Sequence, residues 1–167
     1  MTPLFKSLCV VGPGLIGSSV LRRAKETGTI AGTLIAADTR PRVLERVREL
    51  DIADVITSDP AVAAQADCVM ICVPVGAVED VARQVLPYMK PGSILTDVAS
   101  VRGQLGPTIH AILPEGISYI PGHPMAGTEH SGPDAGFSTL FEDRWALLVP
   151  PEGSDPEAIA KIEALWN

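Results

Sequence analysis

The sequence has no surplus of positive charge. Its 167 residues contain 13 Lys and Arg residues against 20 Asp and Glu residues, which gives a formal net charge of −7 at pH 7. A protein surface with this balance repels phosphate backbones rather than attracting them. The composition therefore argues against nucleic acid as a partner of this chain.

The sequence also lacks a long uninterrupted apolar segment. A membrane-spanning helix needs about 18 or more consecutive apolar residues. The best candidate, between Lys6 and Arg22, is broken by Gly-Pro-Gly at residues 12–14. The same break argues against a secretory signal peptide. We therefore expect a soluble, unprocessed protein that does not enter a membrane.

Cysteine is scarce. The three cysteines, Cys9, Cys68 and Cys72, lie in apolar runs and have no CxxC spacing. An odd number of thiols inside hydrophobic segments is typical of buried, reduced side chains in a reducing compartment. This pattern predicts a cytoplasmic protein and does not indicate a metal site.

The apolar runs that are present alternate with amphipathic segments. A chain of this length is about one domain, and continuous apolar strands that alternate with helices predict a parallel sheet covered on both faces. We therefore expect one doubly wound α/β domain over residues 1–167. Strands are predicted at residues 7–12, 33–38, 68–73, 93–98, 117–122 and 144–150, and helices at residues 15–28, 41–50, 77–89, 101–113 and 155–166.

Three glycines follow the first predicted strand. Gly12, Gly14 and Gly17 form a G-x-G-x-x-G motif at the point where this strand turns into a helix. In a Rossmann-type fold the first glycine allows the tight turn, the second lets a pyrophosphate approach the backbone, and the third lets the helix pack closely. The N–H groups at the start of the helix, near Leu15 and Ile16, then face the anion. The motif predicts a dinucleotide-binding domain.

An acidic residue ends the second predicted strand. Asp38 lies about 20 residues beyond the glycines, where a carboxylate accepts hydrogen bonds from the adenosine ribose. Asp38 would repel a 2′-phosphate, so the sequence favours NAD over NADP, although Arg40 could help to hold that phosphate. Val73, Pro74 and Val75 follow a buried strand and are candidates for further cofactor contacts, or they simply end the strand.

The segment IPGHPMAGTEHSGP, residues 120–133, contains two of the three histidines. His123 follows one predicted strand and Ser100 follows the preceding one, so both are expected at the same sheet edge. A neutral histidine, with an unperturbed pKa of about 6.5, can take a proton from an alcohol that is being oxidised, and a serine hydroxyl can orient it. A plain loop punctuated by Gly and Pro is the alternative. His110 is expected to be a helix residue, and His130 a solvated loop residue.

Three of these segments resemble the prephenate and arogenate dehydrogenases of tyrosine biosynthesis. They are GPGLIGSS, DVASVRG and, above all, GHPMAGTEHSGP, and the likeness extends from about residue 7 to the end of the chain. The resemblance implies that His123 is the catalytic histidine and that Ser100 is its hydrogen-bond partner. It also implies that Thr128 and Glu129 lie at the substrate pocket.

The resemblance also implies a reaction and a larger protein. The reaction is the oxidative decarboxylation of prephenate or arogenate with hydride transfer to NAD, which gives 4-hydroxyphenylpyruvate or tyrosine. The family adds a C-terminal helical domain that forms a homodimer, closes the site and supplies basic residues. Arg102 is the only Lys or Arg between residues 96 and 132, and carboxylate substrates need such partners. We therefore expect this chain to be a cofactor domain with little activity alone; the alternative is a naturally short enzyme that self-associates.

Two other functions fit part of the pattern. A β-hydroxyacid-type dehydrogenase shares the glycine turn and a serine-containing loop. Such enzymes resemble one another in using a catalytic lysine, and none lies between Lys90 and Lys161. A cofactor-binding module without its own catalysis keeps the glycine motif but gives no reason for the loop that carries His123.

Overall fold

The computed structural model of the chain describes residues 1–101 and 103–167, so Arg102 lies outside the described residues. None of the described helices is long and apolar enough to cross a membrane. The described strands are β1 (Phe5–Val11), β2 (Ala31–Ala37), β3 (Val55–Thr57), β4 (Cys68–Ile71), β5 (Ile94–Asp97), β6 (Ser118–Tyr119), β7 (Gly122–Pro124) and β8 (Ala146–Leu148). The described α-helices are α1 (Leu15–Thr27), α2 (Pro41–Leu50), α3 (Val75–Val85), α4 (Leu105–Ile112) and α5 (Pro156–Trp166), and short 3-10 helices lie at Pro60–Gln65, Leu86–Tyr88 and Pro133–Ala135.

Six strands form one sheet in the order β3-β2-β1-β4-β5-β6, and every neighbouring pair runs parallel. The chain moves outward from β1 to β2 and β3, and then returns to β4 on the other side of β1. In open α/β sheets, ligands bind in the crevice at such a reversal, outside the carboxyl ends of the strands. The predicted Rossmann-type fold is confirmed, and its crevice lies between the ends of β1 and β4.

Both faces of this sheet are buried. Leu8 and Val10 of β1 pack into one core with α1 and α5, whereas Cys9, between them, packs into a second core with α3 and α4. Successive strand residues point to opposite faces, so a continuous apolar run buries both sides of a strand. Burial raises the pKa of Cys9 to about 12, which keeps this thiol protonated. Cys68 is also buried, and Cys72 is partly exposed.

Two parts of the strand prediction are wrong. The strand predicted at residues 117–122 is reduced to β6, and β7 and β8 pair antiparallel with each other outside the parallel sheet. Ile120 N still donates to Leu95 O of β5. Pro121 has no N–H to continue this ladder, and its carbonyl accepts from Val149 N instead. The sequence analysis also misses β3, because three half-buried edge residues carry too weak a periodic signal.

The turn between β1 and α1 requires glycine at two positions. Gly12 has a φ of +82°, which L side chains rarely adopt. A Cβ on Gly17 would lie 2.7 Å from Gly12 O and 2.8 Å from Val10 Cγ1. Helix α1 can therefore approach β1 this closely only because residue 17 has no side chain.

Replacement of Gly17 by Ala should destabilise the protein, because backbone or core atoms must move to admit the new methyl group. Overpacking of this kind costs about 1–3 kcal/mol, and for a domain of this size about 1 kcal/mol lowers the Tm by roughly 2–4 °C. We expect the Tm measured by thermal unfolding to fall by several degrees. Gly106→Ala is the matched control, since a Cβ on Gly106 meets no described atom within 4 Å. Equal Tm values for the two variants would contradict this account of the turn.

Candidate active site

The N-terminus of α1 forms an open cradle of backbone N–H groups. Gly14 N donates to Gly12 O at 2.8 Å and Ser18 N donates to Gly14 O at 2.9 Å, so the backbone closes the turn by itself. Among the described residues no side chain caps α1, and the first N–H groups of a helix have no acceptor within it. A Cβ on Gly14 would meet no described atom within 4 Å. The cradle thus offers free donors, the positive end of a helix dipole and room for an anion.

A cavity of about 330 Å³ lies beside this cradle. Gly12, Asp38 and Arg40 line one side, and mostly apolar side chains from α3 and the preceding 3-10 helix line the other. An apolar cavity with a few polar groups at one end suits a nucleoside. The cavity-lining residues on α3 recur at intervals of three to four residues, and this helical periodicity could have identified them from the sequence. The lining residues that the sequence analysis missed are Cys9, Val11, Ala37, Thr39, Ser58, Pro60, Val62, Ala77, Asp80, Val81, Gln84 and Val85.

Asp38 follows β2 with a buried carboxylate. The Asp38 side chain is 5% exposed, whereas that of Arg40 is 64% exposed. Arg40 Nε donates to Asp38 Oδ1 at 2.9 Å, Arg40 Nη2 donates to Oδ2 at 2.8 Å, and the backbone N of Arg40 also donates to Oδ1. Hydrogen bonding to Asp38 raises the pKa of the Arg40 guanidinium. The predicted ribose-binding carboxylate is thus at the cavity, but it is held by the residue predicted to bind a phosphate.

Two of the three residues predicted after β4 reach the cavity. Val73 and Pro74 line it. A Cβ on Gly12 would meet Val73 Cγ1 at 2.7 Å, so Val73 packs directly on the glycine turn. Val75 begins α3, is 42% exposed and lies outside the cavity lining. The structure thus brings Val73 and Pro74 together with the glycines and leaves Val75 apart from them.

His123 lies on β7, where it pairs with Leu147 of β8. Its side chain is half-buried. Its Nδ1 atom is buried and has no hydrogen-bond partner among the described residues. Buried polar atoms in folded proteins nearly always have a partner, so an exception points to a role other than stability. Arg22 Nε and Trp166 Nε1 share this property among the described residues, and His123 is the candidate for catalysis because its imidazole can also exchange a proton.

The end of β5 lies next to the start of β7. A Cβ on Gly122 would lie 3.5 Å from Asp97 O. Asp97 is buried, and its carboxylate accepts from Ala99 N at 3.1 Å and from the Tyr119 hydroxyl. These bonds fix the backbone turn after β5. The sequence analysis missed this pair, because it depends on the pairing of β5 with β6.

Ser100 follows that turn and is exposed. The structure brings the segment with Ser100 and the strand with His123 to the same edge of the fold. It shows no hydrogen bond between these two side chains, both of which belong to the described residues. Their partnership therefore stays a prediction.

The loop after β7 carries the other predicted residues on its surface. Thr128, Glu129 and His130 are exposed. Thr128 Oγ1 accepts from His130 N at 3.1 Å, and His130 Nε2 lies 3.3 Å from Glu129 Oε1. His110 is exposed on α4. The placement of Thr128 and Glu129 at a substrate pocket stays a prediction, because their contacts here are local.

The chain beyond this loop returns to α1. Phe137 N donates to Ser19 Oγ at 3.1 Å, and Arg22 Nη2 donates to Pro133 O at 3.1 Å. The segment that carries His123 is thereby attached to the helix that begins at the glycine cradle. The sequence analysis missed this attachment, because the bonded residues lie 118 and 111 positions apart.

Comparison with known proteins identifies relatives of this domain. The family model described as "Prephenate dehydrogenase, nucleotide-binding domain" matches residues 20–167. The chain is 39% identical over 165 residues to the cyclohexadienyl dehydrogenase of Zymomonas mobilis, a match that covers 98% of this chain and 56% of that protein. It is 27% identical over 172 residues to the prephenate dehydrogenase of Bacillus subtilis, a match that covers 99% of this chain and 45% of that protein. The chain thus spans about half the length of these curated relatives.

Solved structures share the fold over nearly the whole chain. The prephenate dehydrogenase from A. aeolicus in complex with hydroxyphenyl propionate and NAD+ matches with a TM-score of 0.88 and 26% identity, over 96% of this chain and 56% of that one. The Synechocystis arogenate dehydrogenase matches with a TM-score of 0.87 and 28% identity, over 95% of this chain and 55% of that one. Both matches again extend over about half of the larger chain.

Proposed function

Because the chain belongs to the family of prephenate dehydrogenase nucleotide-binding domains, we propose that it binds NAD and supplies the catalytic histidine for oxidative decarboxylation of prephenate or arogenate. One observation carries the proposal: the loop that follows the strand of His123 is attached, at Pro133 and Phe137, to the helix whose N-terminus forms the anion cradle. The chain that continues from the strand of His123 thus returns to the helix at the phosphate site. The names of the relatives, cyclohexadienyl and prephenate dehydrogenase, support this assignment.

The residues present fit a dinucleotide. The open space over Gly14 and the free N–H groups of the first turn of α1, at Leu15, Ile16 and Gly17, suit a diphosphate. The apolar cavity suits adenosine, with the carboxylate of Asp38 at its polar end. NAD is the preferred cofactor because this carboxylate is negatively charged. When bound, NAD supplies the acceptor for the hydride that leaves the substrate ring.

His123 is assigned to take the proton of the substrate hydroxyl. His123 Nδ1 has no hydrogen-bond partner among the described residues. We assign Nδ1–H as a donor to the Ser100 hydroxyl oxygen, which leaves the unprotonated Nε2 to face the substrate. A neutral imidazole accepts a proton readily near pH 7. Loss of the substrate carboxylate as CO2 then restores an aromatic ring, which makes the reaction effectively irreversible.

A helical domain is part of this proposal. Leu147 in β8 and Trp145 and Val149, which flank this strand, are alternate residues that are 50%, 78% and 52% exposed. Leu147 lies directly opposite His123, so both side chains are on one face of the strand pair. Exposed apolar faces mark contact sites. We assign this face to the helical domain, which would cover the substrate, supply cations for its carboxylates and form a homodimer. The length of the relatives, of which this chain spans about half, supports this occupant.

Two broader features fit the same proposal. The net charge of −7 favours a small-molecule substrate over nucleic acid. The free thiols of Cys9, Cys68 and Cys72 support a cytoplasmic location. A β-hydroxyacid-type dehydrogenase has no comparable support, because the sequence offers no lysine between Lys90 and Lys161.

Replacement of Gly14 by Val should abolish NAD binding without unfolding the domain. The new side chain enters the open space that the diphosphate needs, yet no described atom lies within 4 Å of its Cβ. Isothermal titration calorimetry with NAD measures the loss, and circular dichroism checks the fold. Gly106→Val is the control, since its Cβ is equally unobstructed by described atoms. Unchanged NAD affinity in Gly14→Val would refute the proposal that this cradle binds the diphosphate.

His123→Asn should lower turnover by about 10²–10⁴-fold, the usual contribution of a positioned general base. The NAD affinity and the Tm should not change, because His123 Nδ1 makes no hydrogen bond among the described residues. Steady-state kinetics of a protein that includes the helical domain measure the first effect. His110→Asn, exposed on α4, is the control. A variant that keeps more than about a tenth of the activity would rule out this role for His123.

Residues 1–167 alone should turn over prephenate and arogenate poorly, because the described part of the chain leaves the face beside His123 exposed. Fusion to the C-terminal region of the Zymomonas mobilis cyclohexadienyl dehydrogenase should raise kcat/KM strongly. Assays with each substrate also distinguish prephenate from arogenate. Equal kcat/KM for the two proteins would contradict the helical-domain assignment, as would an active dimer of the unfused chain.

A further inference from the structure

Arg40 occupies most of the carboxylate that a ribose would use. An ionised carboxylate has about four lone-pair sites, two on each oxygen. Arg40 Nε and the Arg40 backbone N both donate to Asp38 Oδ1, and Arg40 Nη2 donates to Oδ2. These three bonds leave about one lone-pair site, on Oδ2, for a ligand.

An unmodified adenosine ribose brings two donors, its 2′ and 3′ hydroxyls. With Arg40 in this position about one of them finds an acceptor on Asp38, so tight NAD binding requires the guanidinium to move away. The backbone bond can stay, because Arg40 O caps α2 by accepting from Val43 N at 3.1 Å and Leu44 N at 3.2 Å. The guanidinium can turn into solvent, since its side chain is 64% exposed, and the ribose hydroxyls then replace its hydrogen bonds to Asp38.

A 2′-phosphate reverses this situation. It is repelled by Asp38, but a guanidinium that is already at the cavity can bind it with two parallel hydrogen bonds. Arg40 is the only Lys or Arg among the described residues that line the cavity, and the other charged lining residues are the acids Asp38 and Asp80. No other described side chain of the lining can therefore neutralise the phosphate.

We propose that Arg40 sets cofactor preference, because its guanidinium competes with the ribose for Asp38. It pairs with Asp38 in the free domain, is displaced by the ribose of NAD, and turns to the 2′-phosphate of NADP. The domain accordingly binds both cofactors, and Arg40 weakens NAD binding while making NADP binding possible. This inference rests on the proposed NAD site and deepens it.

The test measures Kd values for NAD and NADP by isothermal titration calorimetry with the 167-residue chain and its variants. Arg40→Ala should raise the Kd for NADP by about tenfold or more, as expected for a lost charged hydrogen-bond pair. The same variant should lower the Kd for NAD by roughly two- to tenfold, because the guanidinium no longer competes with the ribose for Asp38. Arg42→Ala removes an equal charge from an exposed position of α2 and should change neither Kd more than about twofold.

Arg40→Gln is the second variant, because Asp38 is buried and Arg40→Ala removes two of the three hydrogen bonds that Arg40 donates to it. Gln keeps a donor for Asp38 but has no charge, so it should also weaken NADP binding selectively. An equal rise in the Kd values for NAD and NADP, or an unchanged Kd for NADP, would overturn this proposal. Wild-type protein that binds NAD but not NADP would also overturn it. Wild-type protein that binds neither would instead refute the proposed function itself.

Discussion

At Gly17, helix α1 approaches the end of β1 so closely that a methyl group there would lie 2.7 Å from Gly12 O. This contact fixes where α1 begins and directs the first N–H groups into the crevice between β1 and β4. One residue further along α1, Gly136 packs on Ser18 at a distance that also admits no side chain. The chain after β7 is thereby held against the same helix. The phosphate cradle and the strand with His123 share one support because glycine permits both close approaches.

The features that the sequence predicts well are local. Gly12, Gly17 and Asp38 follow from strand and helix periodicity within one β-α-β unit, and each has the predicted position. The attachment of Phe137 to Ser19 is not predictable in this way, since it joins residues 118 positions apart. The departure of β7 from the parallel sheet has a local cause in Pro121, but its pairing with β8 depends on a distant segment.

The pair of Asp38 and Arg40 lies between these two cases. The residues are two positions apart, yet periodicity does not say whether the guanidinium turns back toward the carboxylate. The deciding residue is Pro41, because a residue before proline avoids the helical region. Arg40 accordingly has φ −89° and ψ 114°, extended, immediately before α2. This backbone conformation lets both its N–H group and its side chain reach Asp38. The sequence Asp-Thr-Arg-Pro thus favours a backbone in which Arg40 donates hydrogen bonds to the Asp38 carboxylate. Neither charged residue indicates this pairing alone.

The face of β7 and β8 combines two unfavourable features in the domain as described. His123 Nδ1 is buried without a partner among the described residues, and Trp145, Leu147 and Val149 are exposed beside it. A cover over this face would bury the apolar side chains and exclude water from the imidazole. A substrate held beneath the cover would meet Nε2 of that imidazole, since Nδ1 is assigned to Ser100. Closure and substrate binding would then stabilise each other, because the cover excludes water from the site in which the substrate is held.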